Sequence, residues 1–381
     1  MKRYLYIYIT ALAFITGCRT DETINPIEET ETGTLVAQTE LAGMYVLCEG
    51  NMGSNKCTLD YLEFSTGLYQ RNIYATVNPD VVMELGDVGN DIQIYGSQLW
   101  MVINCSNKVE VCRASNAKRI GQVEVPNCRY VVFNGGYAYV SSYVGPVTMG
   151  EQVPRGSIYK IDTLTLQTAA TVTVGYQPEE MAIINGKLYV ANSGGYCAPD
   201  YDNTVSVIDL ETFTEEYKIK VDINLHHCRS DRYGNLWVTS RGDYYNNYPK
   251  LFCLKKDSSG QIEVIDTLKV PVTDLCIVGD SLYYLGTGYN NFTQQNDREM
   301  GIINIRTHSV VSSTLSTAPE IDAIEMPYGI IVNPVDRDFY LMDAKNYVSS
   351  GQLLHFKADG TFDFKVNTGD IPAHAVFLEK K

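Results

Sequence analysis

Seven short apolar stretches, each built around an aromatic residue, recur along this chain: Met44–Leu47, Leu99–Val102, Ala138–Val140, Leu188–Val190, Leu236–Val238, Leu282–Tyr284 and Phe339–Leu341. Their anchors Tyr45, Trp100, Tyr139, Tyr189, Trp237, Tyr283 and Tyr340 lie 39 to 57 residues apart. That period is the one of propeller blades, where a unit that cannot bury its apolar faces alone is repeated until it can. No helical stripe of period 3.6 competes with it.

The copy from Gly175 to Thr212 shows the unit most clearly. Glu180–Ile184 reads as a strand and Asn185-Gly186 as a tight turn whose residues both need positive φ. Lys187–Ala191 is then the second strand, Thr204–Leu210 a third and Glu215–Val221 a more polar fourth. Equivalent inner strands are expected at Asp91–Ile94, Tyr130–Phe133, Leu275–Val278 and Gly329–Val332. The expected fold is all-β, a seven-bladed β-propeller of four-stranded antiparallel blades. The first copy begins at its anchor and lacks an inner strand. At the other end, Gly369–Leu378 matches Gly175–Ile184 in register, Pro372 on Pro178. The C-terminal strand is therefore expected to complete blade one and close the ring, which removes two free edges and makes residues 41–381 one domain.

The chain starts with a short basic run and an apolar stretch, Tyr4–Ile15, too short for a permanent membrane span. Ile15-Thr16-Gly17-Cys18 resembles a bacterial lipobox. The resemblance implies that residues 1–17 are a signal peptide and that Cys18 carries lipid, whose acyl chains together anchor firmly. Residues 18–40 are acidic and poor in apolar side chains, so a flexible tether is expected. Acids directly after the cysteine resemble the surface-export signal of lipoproteins in Gram-negative gut bacteria, which implies an outer-membrane, cell-surface location. The formal net charge of −15 argues against nucleic acid, because phosphates need a basic stripe and none is visible. Of ten cysteines, nine remain after Cys18, an odd number without zinc-type spacing. Cys128, Cys228 and Cys276 occupy equivalent inner-strand places and read as buried thiols.

In a propeller, the loops from second to third strand and from outer to next inner strand open on one face. In this chain those loops concentrate Tyr, Asn and Gly, the residues of amphipathic contact and adaptable hydrogen bonding. The candidate ligand-binding residues are Asn51, Asn104, Arg129, Tyr143, Asn192, Tyr196, Tyr201, Arg241, Tyr244, Tyr245, Tyr289, Asn290 and Tyr347. No GxSxG, HExxH or Walker pattern points to catalysis, and the expected protein is not an enzyme. His226-His227 are expected to point to opposite faces of a strand. Glu179-Glu180 could serve as an acid/base pair, but reads as a solvated pair at a strand start. A channel calcium stays open as an alternative; it would need Asn90, Asp91, Glu180, Asp274 and Asp322 to converge. No cofactor is otherwise implied.

VGYQPEEMAIINGKLYVANSGG…NTVSVIDLET resembles YncE-like, surface-layer-type seven-bladed propellers. LCEGNMGSNKCTLDY, ELGDVGNDIQIYGSQLW, VINCSNKVEV and SSYVGPV are more specifically similar to the cobalamin-binding surface lipoproteins, the BtuG family, of gut Bacteroidetes. The resemblance covers the whole mature chain and implies capture of vitamin B12 or related corrinoids. It also implies handover to an outer-membrane, TonB-dependent cobalamin transporter. Cys48 departs from the Asn expected in that family's Asn-Glu-Gly-Asn motif. A corrinoid is a broad disc with apolar faces, an amide rim and one phosphate. Tyrosines could pack the faces, Asn amides the rim, and Arg129 or Arg241 the phosphate. The alternatives are a module for a glycan or partner protein, or a metal-dependent propeller hydrolase or lactonase.

Overall fold

A computed structural model of the protein describes residues 28–33, 40–81, 85–147, 153–257, 260–290 and 295–380. Cys18 and the segment before residue 28 lie outside the described residues.

The apolar repeats become the second strands of seven antiparallel blades arranged in a ring. Blade four shows the order: inner Pro178–Ile184, second Lys187–Asn192, third Thr204–Asp209, outer Thr214–Lys220. Asn185 and Gly186 turn between the first two with φ of 49° and 76°, as the dipeptide requires. The other inner strands are Gly89–Tyr95, Cys128–Asn134, Leu225–Ser230, Asp274–Val278 and Pro327–Val332, and Pro372–Glu379 serves blade one.

Each second strand is buried on both faces, which is why it reads as a continuous apolar run instead of a strict alternation. Leu188 and Val190 pack toward blade three, while Tyr189 and Ala191 pack toward blade five. The same division holds round the ring and gives seven apolar wedges among the described residues, one between each pair of neighbouring blades. The aromatic anchors fill the wedge toward the following blade: Tyr45 toward blade two, Trp100 toward three, Tyr139 toward four, Trp237 toward six, Tyr340 toward blade one. Burying one such ring contributes about 3 kcal/mol.

The ring closes as expected. Pro372–Glu379 pairs antiparallel with the second strand of blade one, Leu41–Cys48, with Met44 opposite Phe377 and Val46 opposite Ala375. Gly351 of blade seven lies against the start of this strand, where a Cβ would come within 2.2 Å of Pro372 Cδ. The expectation of a free tether over 18–40 is corrected for part of its length. Glu29–Glu31 forms a fifth strand on the outer edge of blade one, with Glu29 opposite Gln70 and Glu31 opposite Leu68. Its apolar content is too low for a core strand, but an open edge ladder needs only backbone groups, and Gln70 Nε2 adds a 2.9 Å bond to Glu29. Among the described residues no helix is long and apolar enough to cross a membrane. The nine cysteines of the described chain are free thiols; Cys128 and Cys228 are buried and Cys276 half-buried. Burial raises the Cys128 thiol to about 12.

Candidate functional site

In six of the seven blades the inner strand starts with a register shift against the second strand. In blade four Pro178 pairs with Asn192 and the next pair is Met181 with Val190, so Glu179 and Glu180 together oppose Ala191. In blade five His226 and His227 together oppose Thr239, and in blade three Arg129 and Tyr130 oppose Ser141. Such bulges re-aim side chains beside sites. The backbone is not left unpaired: Thr239 Oγ1 accepts His227 N–H at 2.9 Å and Ser141 Oγ accepts Tyr130 N–H at 3.1 Å. The expectation that His226 and His227 point to opposite faces is thereby overturned. The bulge interrupts the two-residue period, and the ring centroids lie 4.0 Å apart.

These bulges build the floor of a funnel on the face where the long loops open. Glu179, 1% exposed, is its hub. It accepts from Arg129 Nε at 3.0 Å, Arg241 at 3.2 Å and the Tyr143 hydroxyl at 2.6 Å. Burial opposes the charge of Glu179 most, but Arg129 and Arg241 outweigh it and hold the carboxyl below its usual range. The Arg129 guanidinium also stands 5.1 Å over the Tyr143 ring. Beside this hub, Tyr130 and His226 share a 2.7 Å hydrogen bond. At the closing seam, Glu49 accepts from the Tyr328 hydroxyl at 3.2 Å and contacts His374 Nε2 at 3.3 Å. The reading of Glu179-Glu180 as a solvated pair is therefore corrected for both residues. Glu180 faces the channel below, bonded to Arg229 and His227 at 2.9 Å. Burial works against its charge, but Arg229 and His227 bring it to about 2.

The wall above carries tyrosines. Tyr244 and Tyr245 are 61% and 73% exposed. Their loop is held by Asp243, whose Oδ1 accepts the N–H groups of Tyr245, Asn246 and Asn247 at 2.8 to 2.9 Å. Tyr201 neighbours both tyrosines, and Tyr244 neighbours Arg241. Tyr196 is exposed, its backbone N–H fixed by Gln177 Oε1 at 2.8 Å. Tyr347 packs edge-on to Tyr328, with centroids 5.6 Å apart.

Arg129, Tyr143 and Arg241 thus converge, Tyr244 lies beside Arg241 with Tyr201 and Tyr245 as its neighbours, Tyr347 sits at the seam, and Tyr196 is exposed on its own loop. Asn104 and Asn192 are corrected as ligand contacts. Asn104 is buried and clamps blade two to blade three through Asn127 Oδ1 and the Cys128 carbonyl. Asn192 is fully buried against Thr204 and Ser206. Asn51 is half-buried in a turn whose carbonyl accepts Ser54 N–H at 2.9 Å. Tyr289 and Asn290 end the long second strand of blade six, and their side chains lie outside those described.

Further along the inner strands the channel holds a half-open cavity of about 460 Å³ lined by Asp91, Glu180, Arg229, Asp274 and His374 among others. Of the five candidate calcium ligands, three face this space, and each is committed. Asp91 accepts Val131 N–H at 2.9 Å, Glu180 accepts Cys228 N–H at 3.1 Å and Asp274 accepts Ile330 N–H at 2.8 Å, each bridging to the next blade. Asn90 donates to the Arg129 carbonyl at 2.6 Å, and Asp322 is exposed on a short helix, Pro319–Asp322. Among the described residues no three His, Cys, Asp or Glu side chains are grouped to hold one metal ion.

No family model and no curated protein matches this chain. Solved structures share its fold. A proposed 6-phosphogluconolactonase from Bacteroides uniformis is 12% identical with a TM-score of 0.59, over 90% of this chain and 100% of that one. A quinonprotein alcohol dehydrogenase-like protein from Bacteroides thetaiotaomicron is 11% identical with a TM-score of 0.55, over 88% and 78%. Hydrazine synthase from Kuenenia stuttgartiensis is 16% identical with a TM-score of 0.57, over 71% and 76%. At these identities the likeness is one of fold, and the chain is a seven-bladed β-propeller.

Proposed function

We propose that this protein is a non-catalytic, surface-anchored lipoprotein that captures corrinoids of the vitamin B12 class and passes them to an outer-membrane, TonB-dependent transporter. The observation that carries the reading is one face of a closed ring on which the exposed Tyr244 and Tyr245 lie beside Arg241 and the polar cluster around Glu179. A flat disc with apolar faces and a polar rim suits that shape. A ring closed by a strand and seven wedges loses little freedom on binding, which favours tight capture. The motif resemblance to cobalamin-binding surface lipoproteins supplies the ligand class, and the lipobox supplies the anchor. Titrating the purified protein with cyanocobalamin tests the reading. Saturable one-to-one binding is expected, and no binding at micromolar ligand would overturn it. A tyrosine rim also suits sugars, so a glycan panel run beside it separates the second reading. Radiolabelled fatty acid on the wild-type protein, absent from Cys18→Ser, tests the anchor.

A further inference from the structure

The chain carries a formal net charge of −15, yet two guanidinium groups meet one carboxylate at the funnel floor. Arg129 commits its Nε to Glu179 and Arg241 one terminal nitrogen. The remaining guanidinium nitrogens have no hydrogen-bond partner among the described residues, and none is a sealed, unsatisfied group. They are left for whatever enters the funnel.

We propose that this floor is an anion subsite, in which Arg129 and Arg241 take a phosphate-, sulfate- or carboxylate-class group across Glu179. The planar fork of arginine matches such groups, and charge-assisted bonds are the strong ones. Glu179 holds both forks, and the Tyr143 ring backs that of Arg129, before any ligand arrives, so little ordering is left to do on binding. Both arginines are partly buried, with side chains 17% and 29% exposed, and an ion pair is stronger where water is scarce.

His226 reports the field at this point. It is faced by Tyr130, His227, Arg129, Arg241 and His374. Burial first, then Arg241, His227 and Arg129, push its imidazole well below the usual histidine value and keep it neutral. An anion on the arginines cancels part of that positive field. His226 then takes up a proton more readily, so binding tightens as pH falls.

Sulfate is the direct probe, because its charge does not change across neutral pH. Titrated into the intact protein, it is expected to bind saturably at millimolar concentration, and more tightly as pH falls below the ordinary histidine value of about 6.5. His226→Gln should flatten that slope. Arg241→Gln should weaken sulfate about tenfold, and Arg241→Lys should restore part of the loss. Thermal melts of each variant separate misfolding from lost binding. Absence of saturable sulfate binding to the wild-type protein overturns the subsite without any variant. A second arm rests on the corrinoid reading. Sulfate should compete with cyanocobalamin and not with cobinamide, which lacks the phosphate. Sulfate binding without corrinoid binding would sink that reading and leave the subsite. Corrinoid binding without saturable sulfate binding would do the reverse.

Discussion

Along most of their length the inner strands pair with the second strands residue for residue: Ile92 with Met101, Ala182 with Tyr189, Cys228 with Val238. At their starts the same strands skip. There stand Asn90, Arg129, Glu179, His226 and Tyr328, joined to residues of other blades by hydrogen bonds or a close ring contact. The regular part supplies stability through apolar wedges, and the bulged part supplies a polar site through cross-blade bonds. Blade six makes the point by contrast. Its inner strand pairs without a shift from Asp274 to Val278, and Asp274, though bonded across to Arg229 and Ile330, faces the channel and not the Glu179 cluster.

The fold should give way most severely at the seam. Deleting Ile371–Lys381 removes the inner strand of blade one and reopens two edges. Loss of a cooperative melt is expected; a stable, monodisperse truncation would refute closure as the basis of the fold. Trp237→Ala, which empties the wedge between blades five and six, should cost about 3 to 5 kcal/mol in urea denaturation. Glu179→Gln keeps the volume but leaves two half-buried arginines against a neutral amide. About 3 kcal/mol is expected, and a loss under about 1 would show that the hub is not integral to the fold.

Next in size is the pH dependence. Glu180 titrates near 2 in the fold against an ordinary 4.5, so its contribution is complete above about 4.5 and disappears as pH falls toward 2. His226 acts in the same direction at higher pH. It stays neutral in the fold, so the unfolded chain binds more protons below about 6.5 and stability falls there. His374 has the opposite sign. Burial lowers its basicity, but Glu49 more than compensates and raises it. Its contribution is present below about 6.5 and disappears as pH rises through its folded value. Urea midpoints followed with pH should therefore lose their alkaline decline in His374→Gln and keep their acid decline. An unchanged alkaline limb would remove His374 from the seam.

The wedges were legible in the sequence because they obey a period. Tyr45, Trp100, Tyr139, Tyr189 and Trp237 recur with the blade, and the match of Pro372 to Pro178 located the closing strand. The floor was only half legible. Arg129, Tyr143 and Arg241 stood out as residue types on the open face. Glu179 and His226 did not, since a period-two argument places neighbours on opposite sides and a bulge cancels it. The signal available was positional: Asn90-Asp91, Arg129-Tyr130, Glu179-Glu180 and His226-His227 all sit one step before the inner apolar run. Asn104 and Asn192 misled for the converse reason. An Asn at the end of a second strand looks like a rim amide, but the backbone groups there need a partner, and the side chain is consumed in supplying it.

The smallest effect on stability should come from the exposed tyrosines that the proposed corrinoid reading assigns to ligand contact. Tyr245 is largely exposed and sits in a loop whose shape is set by Asp243, not by its own ring. Tyr245→Ala should shift stability by less than about 0.5 kcal/mol, while weakening cyanocobalamin binding several-fold through lost stacking area. Asp243→Ala should also spare the fold, since the loop carries no wedge residue. It should weaken the ligand by a comparable amount through the disorder it allows, and the two losses should not add, because the aspartate acts through the tyrosines. Additive losses would mean that Asp243 meets the ligand itself. Equal losses of stability in Tyr245→Ala and Trp237→Ala would erase the division between wedge and wall.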